Sequence, residues 1–149
     1  MRLEEEIKQT QPISEYEKGV INIMLTDHFL SSRLKEFLAR FGLTTQQYNI
    51  LRILRGQYPK PSSNNLIKDR MLFKNADTSR LVNRLAEKGY VERTQSEEDR
   101  RRVEILISQQ GLDNLEQIDN QIDTIESLLD NLSQAEVTEL NRLLDKIRE

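Results

Sequence analysis

Between Asn75 and Ser108 the hydrophobic period of the chain switches from that of a helix to that of a β-hairpin, which leaves few folds open. On a helical repeat Thr78, Leu81, Val82 and Leu85 fall on one face, while Ala76, Arg80, Asn83 and Glu87 fall on the opposite one. The first face needs a core. The second carries small, amide and guanidinium groups near the helix start, which suits a helix entering a DNA major groove N-terminus first. Gly89 supplies the left-handed residue that ends a helix cheaply. Beyond it, Tyr90 and Val91, then Val103, Ile105 and Ile107, form two β-favouring runs around a polar, charge-rich turn from Thr94 to Asp99. A hairpin so placed is the wing of a winged helix.

The formal net charge of −3 looks unfavourable for a nucleic-acid binder until it is divided along the chain. Residues 1–30 carry 3 basic and 6 acidic side chains, residues 31–102 carry 16 and 8, and residues 103–149 carry 3 and 11. The middle segment is therefore at +8 between ends at −3 and −8. Charge alone describes a solvated surface; its coincidence with the helix-hairpin pattern gives it weight. No cysteine is present, which excludes disulfides, thiolate metal sites and thiol-based redox sensing. No apolar run approaches the roughly 18 residues of a membrane span, and the start MRLEEEIK is too acidic for a signal peptide. A soluble cytoplasmic protein is expected.

With 149 residues, the chain is expected to form one domain (1–149) with helical extensions. Residues 1–12 lack apolar periodicity and read as a flexible tail or a frayed approach. Ser14 and Glu17 have capping-box spacing and open a helix that runs to Phe41, where Gly42 stops it. Such a helix is roughly 40 Å long, too long for one small domain to cover, so part of it is expected to pack on a second subunit. Thr44 and Gln47 repeat the capping spacing ahead of a mostly buried helix with Tyr48, Ile50, Leu51, Ile53 and Leu54. It ends near Tyr58, and the stiff segment Pro59-Lys60-Pro61 leads to a short helix, capped by Ser62 or Ser63, that reaches Met71. Residues 62–88 then form a helix-turn-helix. Ser108 caps a further helix in which Leu115, Ile118, Ile122, Ile125, Leu129 and Leu132 follow a heptad seam. Ser133 and Glu136 start a last helix with Val137, Leu140, Leu144 and Ile147 at the same spacing. These seams pack either within one chain or between two.

The segment TSRLVNRLAEKGYVERTQSEEDRRRVEILIS, with GLTTQQYNILRIL upstream and QQG just after it, resembles the MarR (multiple antibiotic resistance regulator) family over nearly the whole chain. Its most specific piece is Asp99-Arg100-Arg101 followed by Val103, Ile105 and Ile107. The resemblance implies that Asp99 and Arg101 shape the wing and that Arg101 reaches a minor groove. It also implies dimerisation through the N- and C-terminal helices, and repression by promoter occlusion relieved by a small ligand. Two features depart from the family pattern. Its third helix is usually Thr-initiated with a central Leu-Ala pair, whereas this chain has SSNNLIKDRM, and Glu97 and Glu98 add carboxylates to the wing tip. Those carboxylates either weaken wing contact or pair with Arg100 and Arg102.

The expected fold is mainly α with a small β-hairpin wing (α+β). A winged helix-turn-helix lobe over residues 43–108 is flanked by a helical dimerisation region over 13–42 and 109–149. Arg80, Asn83 and Arg84 are candidate DNA contacts, and Asn75, Ala76, Asp77 and Ser79, in the first turn, are candidate neighbours of base edges. Ser62, Ser63 and Asn64 suit phosphates, which position the protein without reading sequence. Asp99, Arg100 and Arg101 complete the set. His28 is the only histidine, so it lacks a second imidazole for a metal site, and neither metal nor cofactor is expected. Phe29, Phe41, Tyr48 and Tyr58 suit a small-molecule pocket or core packing equally. No Gly-rich phosphate loop, nucleophile elbow or triad is present, so the chain does not read as an enzyme. The expected partners are a pseudo-palindromic DNA operator, a second copy of the chain and a small-molecule effector, with no membrane. A protein-interaction module on a winged-helix scaffold, or a regulator of another winged-helix family, is the alternative.

Overall fold

The computed structural model describes residues 3–8, 10–97, 99 and 102–149. They fall into two compact units, one ending at Phe37 and one beginning at Leu38. In the first, α1 (Leu3–Glu6) precedes α2 (Glu15–Ala39), which continues two residues into the second unit. Ser14 caps α2 as expected, its hydroxyl accepting from the Glu17 amide at 3.1 Å. Within the segment expected to be a flexible tail or a frayed approach, Leu3–Glu6 form a turn of helix, with Leu3 buried and Glu4 paired to Lys18. One apolar side chain and one ion pair leave no period in the sequence to detect. α2 itself leaves Tyr16, Val20, Ile23 and Met24 exposed, Tyr16 by 91%.

The second unit is built around α3 (Thr45–Gln57). Its start is set by a complete capping box: the Thr44 hydroxyl accepts from the Gln47 amide at 3.2 Å, and the Thr44 amide donates to Gln47 Oε1 at 3.0 Å. The apolar face of α3 buries Tyr48, Ile50, Leu51 and Leu54. Complete burial of a Leu or Ile side chain contributes about 1.5–3 kcal/mol. Around α3 pack α4 (Asn64–Arg70), α5 (Thr78–Glu87), α6 (Gln109–Asp119) and strand β2 (Val103–Ile107). β1 (Val91–Gln95) pairs antiparallel with β2, Val91 opposite Ile107 and Arg93 opposite Ile105. The fold is thus the expected one, mainly helical with a single hairpin.

Gly89 ends α5 at φ +79°. Its amide donates to Ala86 O and that of Tyr90 to Leu85 O, both at 2.9 Å, so two orphan carbonyls of the last turn are satisfied. Gly111 answers to a different demand. It lies in the first turn of α6, its amide donating to the Ser108 hydroxyl at 3.1 Å, and a Cβ there would overlap the Tyr90 carbonyl and stand 2.8 Å from Ile107 Cγ1. Only glycine lets α6 start this close to the hairpin.

The heptad helix expected beyond Ser108 is not continuous. α6 ends at Asp119, and α7 (Asp123–Glu126) and a 3₁₀ turn (Ser127–Leu129) intervene before α8 (Gln134–Ile147). Between Ile118 and Ile125 the amides of Gln121, Ile122, Thr124 and Ile125 each bond three residues back, so the backbone winds with fewer residues per turn than an α-helix. Asp, Asn, Thr and Ser are frequent here and compete for backbone groups, as when the Ser127 hydroxyl donates to Thr124 O at 3.0 Å. Leu115 and Ile118 are buried, Ile122, Ile125 and Leu129 half-buried, and Leu143 and Ile147 on α8 exposed. α8 starts as expected at a Ser133–Glu136 capping box. Hydrogen bonds from the Ser133 amide and hydroxyl hold the Glu136 carboxyl below the usual carboxylate range. That stabilisation is present above the ordinary carboxylate pKa and is lost as pH falls through the lowered value.

Gly111→Ala should destabilise the protein by about 1–3 kcal/mol in urea unfolding, since backbone and β2 must shift. Gly56→Ala, on α3 with nothing within 4 Å of the new methyl, should stabilise it by about 0.5–1 kcal/mol. Equal responses at both glycines would contradict the close approach at Gly111.

Candidate nucleic-acid interface

α4 and α5 are joined by a turn held from several sides. Met71 caps α4 with its amide on Ile67 O, the Leu72 amide donates to Asn49 Oδ1 of α3 at 2.9 Å, and the Thr78 hydroxyl donates to Met71 Sδ at 3.5 Å. α5 begins at Thr78, and Asp77 is its cap, accepting from the Arg80 amide at 3.1 Å. Asn75 and Ala76 therefore precede the helix rather than occupy its first turn, Asn75 exposed and Ala76 half-buried with its amide on Phe73 O. The expected core face holds: Thr78, Val82 and Leu85 are buried and Leu81 half-buried. Ser79, Arg80, Asn83 and Arg84 are exposed. They form a row of hydroxyl, amide and guanidinium groups along one open side of α5.

At the start of α4 the two serines divide their tasks. Ser63 is the cap, accepting from the Leu66 amide at 3.2 Å, and is exposed. Ser62 is only 3% exposed, because its backbone forms a bridge with Ile105 of β2: the amide of each donates to the carbonyl of the other at 2.8 Å. This corrects the expectation that Ser62 faces phosphate; pairing with the sheet turns its hydroxyl inward. Asn64 opens the helix, half-buried, and its Oδ1, like Ser62 Oγ, is buried without a hydrogen-bond partner among the described residues. An open cleft of about 470 Å³ lies beside them, lined by Ser63, Asn64, Asn65, Arg102 and Val103. Lys68 and Arg70 of α4 and Lys74 of the turn are exposed, the Lys74 ammonium donating to Asp69 O.

A family model described as MarR family matches residues 41–102, which hold α3, the helix-turn-helix and β1 and end just before β2. The MarR transcription factor of Planctomyces limnophilus is 30% identical, with 92% of this chain and 98% of that one covered and a TM-score of 0.70. This chain belongs to the MarR family. A mutant MarR from Escherichia coli complexed with operator DNA superposes at a TM-score of 0.77, with 24% identity over 93% of this chain and 99% of that one. The HTH-type transcriptional regulator PapX of Escherichia coli is 28% identical over 83 residues, 56% of this chain and 51% of that protein. The chain thus spans about half the length of the curated relatives it matches.

Within this MarR-family fold the wing tip is closed by Asp99. Its carbonyl accepts from the Arg102 amide at 2.8 Å, Arg102 O accepts from the Ser96 amide at 2.9 Å, and the carboxylate lies 3.5 Å from Arg102 Nε. Glu97 is exposed, while Glu98, Arg100 and Arg101 lie outside the described residues. The departure from the family at SSNNLIKDRM leaves α4 seven residues long with a hydroxyl cap. His28 is exposed on α2, Tyr48 belongs to the core, and Tyr58 is exposed. Among the described residues no group of three or more His, Cys, Asp or Glu side chains is placed to hold a metal ion.

Two residues outside the expected set shape this surface. Asn49 reaches from α3 to the helix-turn-helix turn, and Arg93 of β1 donates from Nη1 to Asn83 Oδ1 of α5. A sequence signal for Arg93 existed. It lies two residues from the buried Val91 and opposite the buried Ile105, so its side chain leaves the face of the hairpin that packs toward α5.

Asp77→Ala should cost about 1 kcal/mol of stability and accelerate hydrogen exchange at the Arg80 amide, with Asp77→Asn recovering most of both. Unchanged exchange at Arg80 would show that α5 does not depend on this cap.

Proposed function

We propose that this chain is a homodimeric regulator that binds double-stranded DNA sequence-specifically and represses transcription by occluding a promoter until a small-molecule effector releases it. The observation that carries the reading is the open row Ser79, Arg80, Asn83 and Arg84 on α5, beside a hairpin and within the basic middle segment of the chain. Operator DNA bound by the similar Escherichia coli MarR supports it. In this reading α5 lies in the major groove, with Asn75, Ala76 and Asp77 at its leading edge and Arg80, Asn83 and Arg84 along it. Ser63, Asn64 and the backbone at the start of α4 meet phosphate, fixing register without reading bases. Arg100 and Arg101 extend the wing toward a minor groove, with Asp99 shaping the tip.

Residues 43–108 then form the reading lobe, and 13–42 with 109–149 the dimerisation region. Tyr16, Val20 and Met24 on α2, and Leu143 and Ile147 on α8, support dimerisation because each is an exposed apolar group on a long amphipathic helix. Two copies place two α5 helices on half-sites about 10 base pairs apart, so the operator is pseudo-palindromic. An effector that binds one dimer geometry better shifts the population away from that spacing. Such a protein acts in the cytoplasm, and no helix among the described residues is long and apolar enough to cross a membrane.

Selection from a random duplex pool should return an inverted repeat, and sedimentation at micromolar concentration should give a dimer. Arg80→Ala should cost about 1–3 kcal/mol of binding and relax preference at one or two base pairs per half-site. Binding should fall steeply with salt. A protein that selects no sequence, or a monomer that binds the full operator as tightly as a dimer would, refutes the corresponding part of this reading.

A further inference from the structure

Asn83 is the one side chain of the exposed α5 row whose amide is already engaged by the hairpin. A guanidinium carries only donors, so the atom of Asn83 that faces Arg93 must be the carbonyl oxygen and not the NH2 group. The orientation of this amide, elsewhere ambiguous, is therefore fixed by chemistry. The backbone from which the exposed Arg93 side chain departs is fixed in turn, since Val91 anchors its end of β1 in the core and Ile105 opposite it is fully buried.

An asparagine that recognises adenine in a major groove needs both halves of its amide, the oxygen accepting from the N6 amine and the NH2 donating to N7. With its oxygen turned to a cation, Asn83 offers the groove an NH2 group. Guanine answers that group with two adjacent acceptors, N7 and O6, whereas adenine sets its own N6 donor beside N7. We infer that Arg93 is a specificity-determining positioning residue, which holds the Asn83 amide so that it reads guanine in preference to adenine. The inference rests on the DNA-binding reading of α5. Arg93 acts through Asn83 and need not touch a base.

The test is sequence selection from a random duplex pool by the full-length wild type, Asn83→Ala, Arg93→Ala and the double variant, each then measured on matched duplexes at two salt concentrations. The Asn83→Ala selection identifies the base pair that Asn83 reads. There the wild type should favour guanine over adenine by about tenfold, and Arg93→Ala should erase or reverse that ratio, because the freed amide can then engage adenine at both atoms. The double variant should show the same preference as Asn83→Ala alone. Wild-type selection of adenine at that base pair overturns the inference while leaving DNA binding intact. So does an Arg93→Ala variant that weakens every duplex equally, with a salt slope shallower by about one phosphate equivalent, since that describes a backbone contact. No base pair altered by Asn83→Ala overturns it as well. A wild type that selects no sequence at all overturns the DNA-binding reading, and this inference with it.

Discussion

The burial of α3 is the constraint on which the second unit depends. Ile50 and Leu51 are fully enclosed and Leu54 nearly so, and α4, α5, α6 and β2 all pack on this one helix. Each of these neighbours is too short to be stable alone; α4 has seven residues and β1 and β2 five each. They keep their form because α3 supplies the apolar surface against which their own apolar faces are buried. A rigid α3 also governs the candidate interface directly, since Asn49 on its less buried side holds the amide of Leu72 in the turn of the helix-turn-helix. One side of α3 thus builds the core and another holds the turn that leads into α5.

Features that depend on neighbours in sequence were legible from it, and features that depend on neighbours in space largely were not. The caps at Ser14, Thr44, Ser108 and Ser133 need only a hydroxyl and an amide within one turn, and each lies where its spacing placed it. The core face of α5 followed from period and the two strands from their β-favouring residues, although β1 takes in Thr94 and Gln95, expected in the turn, because pairing with Glu104 and Val103 extends the ladder. By contrast, Ser62 and Ser63 are chemically alike as helix caps, and only the bridge to Ile105, more than forty residues away, decides that Ser63 caps α4 and Ser62 is buried. The break after Asp119 escaped for another reason. Apolar residues spaced by three and four keep one face in tight turns as well as in an α-helix, so the seam from Ile118 to Leu129 did not register the change of pitch. Asp119 is also drawn toward α3 by an ion pair with Arg55, and nothing in the local sequence announces that bond.

The connection between α2 and α3 gathers ties that bear on how α5 is held. The Lys88 ammonium, just past the end of α5, donates to Gly42 O, and Asn114 Nδ2 of α6 donates to Phe41 O at 3.1 Å. Arg40 donates to Gln121 at 2.8 Å, beyond the end of α6. Gly42 itself sits at φ +69°, a conformation that turns its carbonyl outward at little steric cost. The far end of α5 is therefore bonded to the loop that begins α3, while Asp77 caps its near end. With Thr78 bonded to Met71 at its start and Lys88 to Gly42 at its end, α5 moves as a body with its scaffold rather than by bending, so in the proposed homodimer a change of geometry would alter where the exposed row lies and leave its internal arrangement unchanged. In the proposed homodimer the separation of the two α5 helices and the arrangement of the side chains along each are then independent variables, the second held by contacts such as Arg93 with Asn83.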